Sequence, residues 1–586
     1  MKNLASEWAR LWAVSLADAG LSQLFLSPGS RSTPFAWAMV AEPRVEVTVV
    51  MDERSAGFAA LGWGKLTGRP AAVLCTSGSA PAHYLPSILE AGYSAAPLLV
   101  LTADRPPELM GVAAPQTVNQ TQLYGDAVRG FFDPGVPDPH SLHSLRRTAA
   151  QCVALCQGPD AGAVHVNLGV RKPFDPAQPT TEAEKTLTAN VNRTLSQPIT
   201  VAPQPTRHVP DDALQKAANS LAESKRGLLI VGPLPLGAVS QQVIADIAAS
   251  AQVDVYLETT SGLRRAAKQD PLPRYVRNWD VLARAGAFAG SERPDYILQV
   301  GLTPTSKGYA DLISHGAPIP RDVLCHHSWV DPFNSARQIL QGDLEPALQE
   351  LRSALAREEG TENANETLQK LDQSATEFRD RTRERFAEPG AIAAIASLIP
   401  EDSVLVLGNS LPVREIDTFS DGLAAKVSVV SQRGTSGIDG IISGAVGVAR
   451  ACKKTVTVLL GDVSLHHDIS GLLLAAGLNT PFVIAVINNE GGRIFDQLPL
   501  ASNATVAEMA PWLTPHDTDF RHAAALYQLD YREVSDPQEA GSALQAALAK
   551  RGATLVEFKV PPSSARDAME QLLEQVRETI GAVSSP

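Results

Sequence analysis

LLGDVSLHHDISGLLLAAGLNTPFVIAVINNEGGRIF, residues 459–495, is the stretch from which the fold is read. An apolar run at 455–460 delivers Gly461 and Asp462 at its C-terminal end. A second, at 482–487, delivers Asn488, Asn489, Glu490 and Gly491. A helical pattern lies between them, so the unit predicts strand, helix, strand. In an open parallel sheet the carboxyl ends of adjacent strands face one crevice, which would bring Asp462 and Asn489 together. A carboxylate, an amide oxygen and a backbone carbonyl are hard donors suited to Mg²⁺, an ion that completes its shell with water and substrate phosphates. The glycines would let backbone approach a diphosphate. The same pattern also fits an ordinary Rossmann-like crossover, and this stretch alone does not choose.

Gly461-Asp462-Val463, followed after about two dozen residues by Asn488-Asn489, resembles the metal and diphosphate motif of thiamine diphosphate enzymes. The departure is Val463, where that family's motif has a third glycine. The resemblance implies Asp462, Asn489 and Gly491 as ligands of Mg²⁺ (or Mn²⁺). It implies cofactor contacts from Gly461, Val463, Ser464, Gly492 and Ile494.

The whole chain bounds what such a motif can belong to. With 586 residues, 44% of them apolar, and a mean hydropathy of −0.04, it is globular and too long for a single core. A formal charge of −13 argues against nucleic acid or an anionic membrane, so an anionic small molecule would have to be held by local cations. The five cysteines are scattered. Cys152 and Cys156 lack the second pair that a zinc site would need, and all are read as reduced, buried thiols. Glu7, Arg10 and Asp18 interrupt the first twenty residues at helical intervals, which predicts a first helix instead of a signal peptide. No apolar run approaches membrane-spanning length, and a cytoplasmic location is expected.

Residues 1–175 alternate amphipathic helices with the β-rich runs LSQLFLSPG, VEVTVVMDE, AAVLCTSG, PLLVLTADRP and AVHVNLG, the pattern of a parallel α/β domain. Polar groups collect at the strand ends. Ser27-Pro28-Gly29-Ser30-Arg31 precedes a helix and can form an anion site or a plain capped turn. Glu53 opens a small-residue helix, where it would favour the helix dipole. Thr76-Ser77-Gly78 is a turn before a helix, and Ala103-Asp104-Arg105-Pro106-Pro107 follows the fourth run. Taken together, SPGSRSTP, MDERSAGFAALG, TSGSA and TADRPPEL resemble the 2-succinyl-5-enolpyruvyl-6-hydroxy-3-cyclohexene-1-carboxylate synthases of menaquinone biosynthesis, a thiamine diphosphate family.

A stretch rich in Pro, Thr and Asn, 176–210, reads as an aperiodic linker. Residues 211–355 predict a central α/β domain with strands at GLLIVG, VDVYLET, YILQVG and DVLCHHSWVD. His326 and His327 are read as strand-end residues. Residues 356–386 predict a charged helical bridge, with AREEGTENANE mobile, and 387–586 a last α/β domain. There Asn409 and Ser410 follow a strand, Arg414 lies a helical turn beyond, and QRGTSGIDG, 432–440, has the glycine density of backbone that approaches a ligand. His466 and His467 are read as structural, since Mg²⁺ does not favour imidazole.

The resemblance thus implies three parallel-sheet α/β domains of the thiamine diphosphate-enzyme type: pyrimidine-binding, central, and diphosphate- and metal-binding. It implies a transferase that decarboxylates 2-oxoglutarate and adds the resulting succinyl carbanion to isochorismate. It assigns Glu53 to the aminopyrimidine ring, and Arg414 and Arg433 to catalysis. Ser77, Gly78, Asn409, Ser410, Leu411, Gly437 and Ile438 would contact the cofactor, Ile438 as the wedge that bends it. Ser30, Arg31, Arg105, Gln116, Lys307, Ser410, Arg414, Arg433, Ile494, Phe495 and Leu498 would contact substrate. A homodimer, alone or as a dimer of dimers, is implied. Two rivals are a thiamine diphosphate carboligase with another acceptor, and a silent nucleotide-binding protein on the same scaffold.

Overall fold

The computed structural model describes residues 1–266, 272, 274–355, 365–385 and 387–584. The segment AREEGTENANE therefore falls, over 356–364, outside the described residues. The chain divides into two compact units: Met1–Pro205 with Gln432–Lys453 and Asp468–Ala475, and Thr206–Ser431 with Lys454–His467 and Ala476–Pro586.

The first unit is built on β1 (Gln23–Leu26), β2 (Glu46–Val49), β3 (Ala71–Cys75), β4 (Leu98–Asp104), β5 (Gly130–Phe132) and β6 (Ala163–Gly169). They form one parallel sheet in the order β2-β1-β3-β4-β6-β5. Its central strands are apolar without alternation because both faces are covered: β3 and β4 are buried at every residue. The helix Leu4–Asp18 turns Trp8, Leu11, Trp12 and Leu16 inward, and Ala149, Cys152 and Val153 of Leu142–Gln157 join the same core. A second close pairing, Glu53–Thr67 on Ile441–Cys452, depends on glycine. A Cβ at Gly62 would lie 1.9 Å from the Gly444 carbonyl, and one at Gly447 equally near that of Ala59.

The stretch expected to be an aperiodic linker holds a helix, Glu182–Leu195. Thr181 and Glu184 form a capping box, and Leu187 and Val191, four apart, enter the core of the first unit. The apolar signal is two side chains in a polar segment, too sparse to stand out as periodicity.

The second unit carries two parallel sheets. In β7 (Gly227–Val231), β8 (Asp254–Leu257), β9 (Tyr296–Val300), β10 (Arg321–Cys325) and β11 (Gln338–Gln341) the order is β11-β10-β9-β7-β8. In β12 (Val404–Leu407), β13 (Ser428–Ser431), β14 (Val456–Gly461), β15 (Pro481–Asn488), β16 (Asp530–Val534) and β17 (Gly552–Lys559) it is β13-β12-β14-β15-β17-β16. Three parallel α/β sheets are thus present. One apolar cluster runs from Leu228 and Trp279 through Ile392 and Val413 to Leu572. The expected charged bridge contributes to it: Leu368, Leu371 and Ala375 of Glu366–Arg385 are buried there. Four of the cysteines are buried, Cys452 is half-exposed, and all are free thiols. Among the described residues no helix is long and apolar enough to cross a membrane.

Candidate functional site

In the first unit β1 lies between β2 and β3, which makes its carboxyl end a switch point where connections leave in opposite directions. Asp52 follows β2 and caps the helix Glu53–Thr67, its Oδ1 accepting from the Arg54 N–H at 2.9 Å; Glu53 is the first helical residue. Ser30 is exposed in the turn after β1, and Gly29 packs so closely on Thr76 that a Cβ would meet it at 2.3 Å. Ser77, after β3, donates its hydroxyl to the Gln116 carbonyl at 3.1 Å, and Gln116 Nε2 returns a bond to the Ser77 carbonyl at 3.0 Å. Gly78 has φ +93°, and a side chain there would strike Gln116. The fold thus joins two candidate stretches far apart in sequence.

Arg31 and Arg105, both of this unit, differ in setting. Arg31 is buried, donates to the Val170 carbonyl at 2.6 Å and stacks on Phe174. Burial, with the like charge of Arg105 added, lowers its pKa. Arg105 donates to the Pro115 carbonyl at 3.2 Å and lines a cavity of about 730 Å³ with Asp104, Met110, Asn119, Asp133 and Asn167. The wall is fixed by a buried network. Gln120 accepts from the Gly78 N–H at 3.3 Å and donates to Asn167 Oδ1 at 2.9 Å, and Asn167 Nδ2 donates to Asp104 at 2.8 Å. Burial raises the Asp104 pKa.

The segment with Arg433, Gly437 and Ile438 also belongs to this unit. Its start is held by Glu90, whose Oε1 accepts from Lys65 Nζ (2.7 Å) and the Gly434 N–H (3.0 Å). Its Oε2 accepts from the Thr435 N–H (2.6 Å) and hydroxyl (2.8 Å). Gly440, at φ +64°, ends the loop against the Phe58 ring with no room for a side chain.

In the second unit β12, β14 and β15 are neighbours, and their carboxyl ends carry Asn409, Asp462 and Asn489. The pairing of Gly461 with Ile487 sets Asp462 beside the turn after β15. Asp462 is 1% exposed. Its Oδ1 accepts from the Val463 N–H at 2.6 Å and its Oδ2 from the Gly491 N–H at 2.9 Å. Burial raises its pKa, against the pull of those N–H groups. The turn needs positive φ at Glu490 (+60°) and Gly491 (+128°), and a Cβ on Gly491 would lie 2.2 Å from the Leu513 carbonyl. Gly492 donates to that carbonyl at 2.7 Å, and Ser464 is buried. Ile494, Phe495 and Leu498 follow on and just after the short helix Arg493–Gln497, the latter two exposed.

Asn409 and Leu411 are buried; Ser410 between them has φ +70° and accepts from Arg414 Nη1 at 2.6 Å. Burial lowers the Arg414 pKa, while the charges of Glu258 and Asp280 oppose the shift. Glu258 also accepts from Thr305 (2.7 Å) and the Ser306 N–H (2.9 Å), just before the exposed Lys307, which pairs with Asp311. His326 and His327 follow β10.

Several site neighbours were invisible in the sequence. His516 Nε2 lies 3.2 Å from Asp462 Oδ2, with His466 and Phe520 packed on its ring. Glu388 accepts from Asn489 Nδ2 at 3.0 Å. Gln120 and Asn167 have no motif. Each is a lone polar residue in an unremarkable stretch, and only burial beside a candidate residue singles it out.

Two family models match this chain: the thiamine pyrophosphate enzyme N-terminal TPP binding domain over residues 7–123, and the C-terminal TPP binding domain over residues 425–558. Full-length relatives carry the name 2-succinyl-5-enolpyruvyl-6-hydroxy-3-cyclohexene-1-carboxylate synthase. That of Sorangium cellulosum (strain So ce56) is 37% identical, over 100% of this chain and 97% of the relative. That of Chloroflexus aurantiacus is 36% identical over 94% and 93%, and that of Bacillus velezensis 32% over 99% and 99%.

Proposed function

Because this chain belongs to the 2-succinyl-5-enolpyruvyl-6-hydroxy-3-cyclohexene-1-carboxylate synthase family of thiamine pyrophosphate enzymes, we propose that it releases CO₂ from 2-oxoglutarate and joins the succinyl unit to isochorismate in menaquinone biosynthesis. The observation that carries this is the strand-end constellation of β12, β14 and β15, in which Asp462 and the Asn489–Gly491 turn meet.

The residues fit the groups the family implies. Asp462, the Asn489 amide and the Gly491 carbonyl are hard oxygen donors, as Mg²⁺ or Mn²⁺ prefers, and the side-chain-free Gly491 leaves backbone close to the ligand. Asn409, Ser410, Leu411, Gly461, Val463, Ser464, Gly492 and Ile494 complete the diphosphate side. Glu53, Ser77 and Gly78 serve the pyrimidine side, and Gly437 and Ile438 lie at the bend of the cofactor, Ile438 as its wedge. When bound, thiamine diphosphate supplies the electron sink that loss of carboxylate from a 2-oxo acid requires. Glu53 would hold the proton at the aminopyrimidine ring. Arg31, Arg105, Lys307, Arg414 and Arg433, with Ser30 and Gln116, would hold the carboxylates of two dicarboxylate substrates, each charged contact contributing about 1.5–3 kcal/mol. Ile494, Phe495 and Leu498 would shield the reacting carbons from water.

The functional division is residues 1–175 for the pyrimidine and 387–586 for the diphosphate and metal, in a cytoplasmic homodimer or a pair of such dimers. The test is product mass after supplying 2-oxoglutarate, isochorismate, thiamine diphosphate and Mg²⁺. Consumption of 2-oxoglutarate at an equal rate without isochorismate would point instead to a carboligase with another acceptor.

A further inference from the structure

Glu388 and Glu415 lie on separate helices, Ala387–Leu398 and Pro412–Phe419, and both are buried. Glu388 Oε1 accepts from Asn489 Nδ2 at 3.0 Å, and its backbone N–H donates to Ser564 Oγ at 3.1 Å, which anchors the helix start. Among the described residues its other oxygen, and both oxygens of Glu415, find no N–H or O–H donor. The two carboxyl groups are instead within hydrogen-bonding reach of each other. Burial, then the Glu388 charge, pushes the Glu415 pKa well above the ordinary carboxyl range.

An acceptor-only oxygen facing an amide decides which way that amide points. With Glu388 Oε1 taking the Nδ2 hydrogen, the opposite end of the Asn489 amide is its oxygen. The Asn489 backbone is held as well: its carbonyl accepts from Arg493 Nε at 2.9 Å. We propose that Glu388, backed by Glu415, is a positioning residue that orients the Asn489 amide so that Oδ1, not Nδ2, is offered to the divalent cation beside Asp462. This rests on the assignment of Asn489 as a ligand.

The probe is Mn²⁺ binding in the presence of thiamine diphosphate, followed by the spin-resonance signal of free Mn²⁺ and by calorimetry. Glu388→Leu removes the acceptor and should weaken Mn²⁺ by about 10- to 100-fold, the usual cost of losing an outer-shell partner. Glu388→Gln should stay within about threefold of the native chain, because its Oε1 still accepts from Asn489 and its Nε2 can donate to Glu415. If Glu388→Leu does not fold, Glu388→Asp serves, since it keeps a carboxylate but withdraws it from Asn489; it should weaken Mn²⁺ as well. A purely structural role would lower the melting temperature and leave Mn²⁺ affinity unchanged. Native affinity in folded Glu388→Leu or Glu388→Asp, or a Glu388→Gln as weak as Glu388→Leu, overturns the proposal. Asn489→Leu separates the two claims. If it loses Mn²⁺ while the Glu388 variants do not, the ligand assignment stands and the positioning role falls; if it binds Mn²⁺ normally, both fall.

Discussion

Replacing Glu90 by Gln should loosen the loop that carries Arg433, Gly437 and Ile438, although Gln is nearly isosteric. Both carboxylate oxygens are surrounded by donors alone: Lys65 and the Gly434 N–H on one, the Thr435 N–H and hydroxyl on the other. A Gln must therefore turn its NH₂ group toward one donor set. Glu90 is 1% exposed and the Lys65 side chain 11% exposed, so solvent cannot compensate. Breaking one side of a buried ion pair costs about 3–5 kcal/mol, which is at least about a hundredfold in the local opening equilibrium. Hydrogen–deuterium exchange should accordingly show the Gly434 and Thr435 amides about a hundredfold less protected, with cofactor affinity reduced alongside. The dependence on pH has a definite sign. Burial acts to raise the Glu90 pKa, but the Lys65 charge and the two N–H groups outweigh it and hold the group below its ordinary value. The contribution is thus fully present above the unfolded carboxyl pKa and is lost as pH falls through the lower, folded value. Unchanged protection of both amides in Glu90→Gln at neutral pH would refute the reasoning.

The other predictions concern the site itself. Asp462→Ala should abolish metal-dependent thiamine diphosphate binding, and calorimetry showing native cofactor affinity in Mg²⁺ would remove Asp462 from the metal site. Arg31→Ala or Arg105→Ala should weaken use of the dicarboxylate substrates, seen as a raised KM, while thiamine diphosphate still binds; a collapse of cofactor affinity would move these arginines to the diphosphate. Subunits of Glu53→Gln and Asp462→Ala, each inactive alone, should regain about a quarter of native activity on mixing if Glu53 of one chain serves the site of its partner. Verified exchange of tagged subunits with no recovery would mean that each site is built within one chain.

The sequence by itself determined the three parallel α/β sheets and the strand ends at which the candidate ligand-binding groups sit. Apolar runs such as 455–460 and 482–487 became β14 and β15, nearly residue for residue, because a strand buried on both faces must be continuously apolar and must stop where polar groups begin. The same local signal failed where burial is partial. The strand Asp530–Val534 buries only Val534, and the helix Glu182–Leu195 only Glu184, Leu187 and Val191, so neither shows a strong pattern. Tertiary structure alone decided the partners. Glu388 stands 101 residues from Asn489, and Glu415, His516 and Gln120 acquire meaning only when helices and loops from distant parts of the chain close around a strand end. Periodicity reports which face of an element is buried, whereas the identity of the group on the other side of a hydrogen bond depends on how the elements pack.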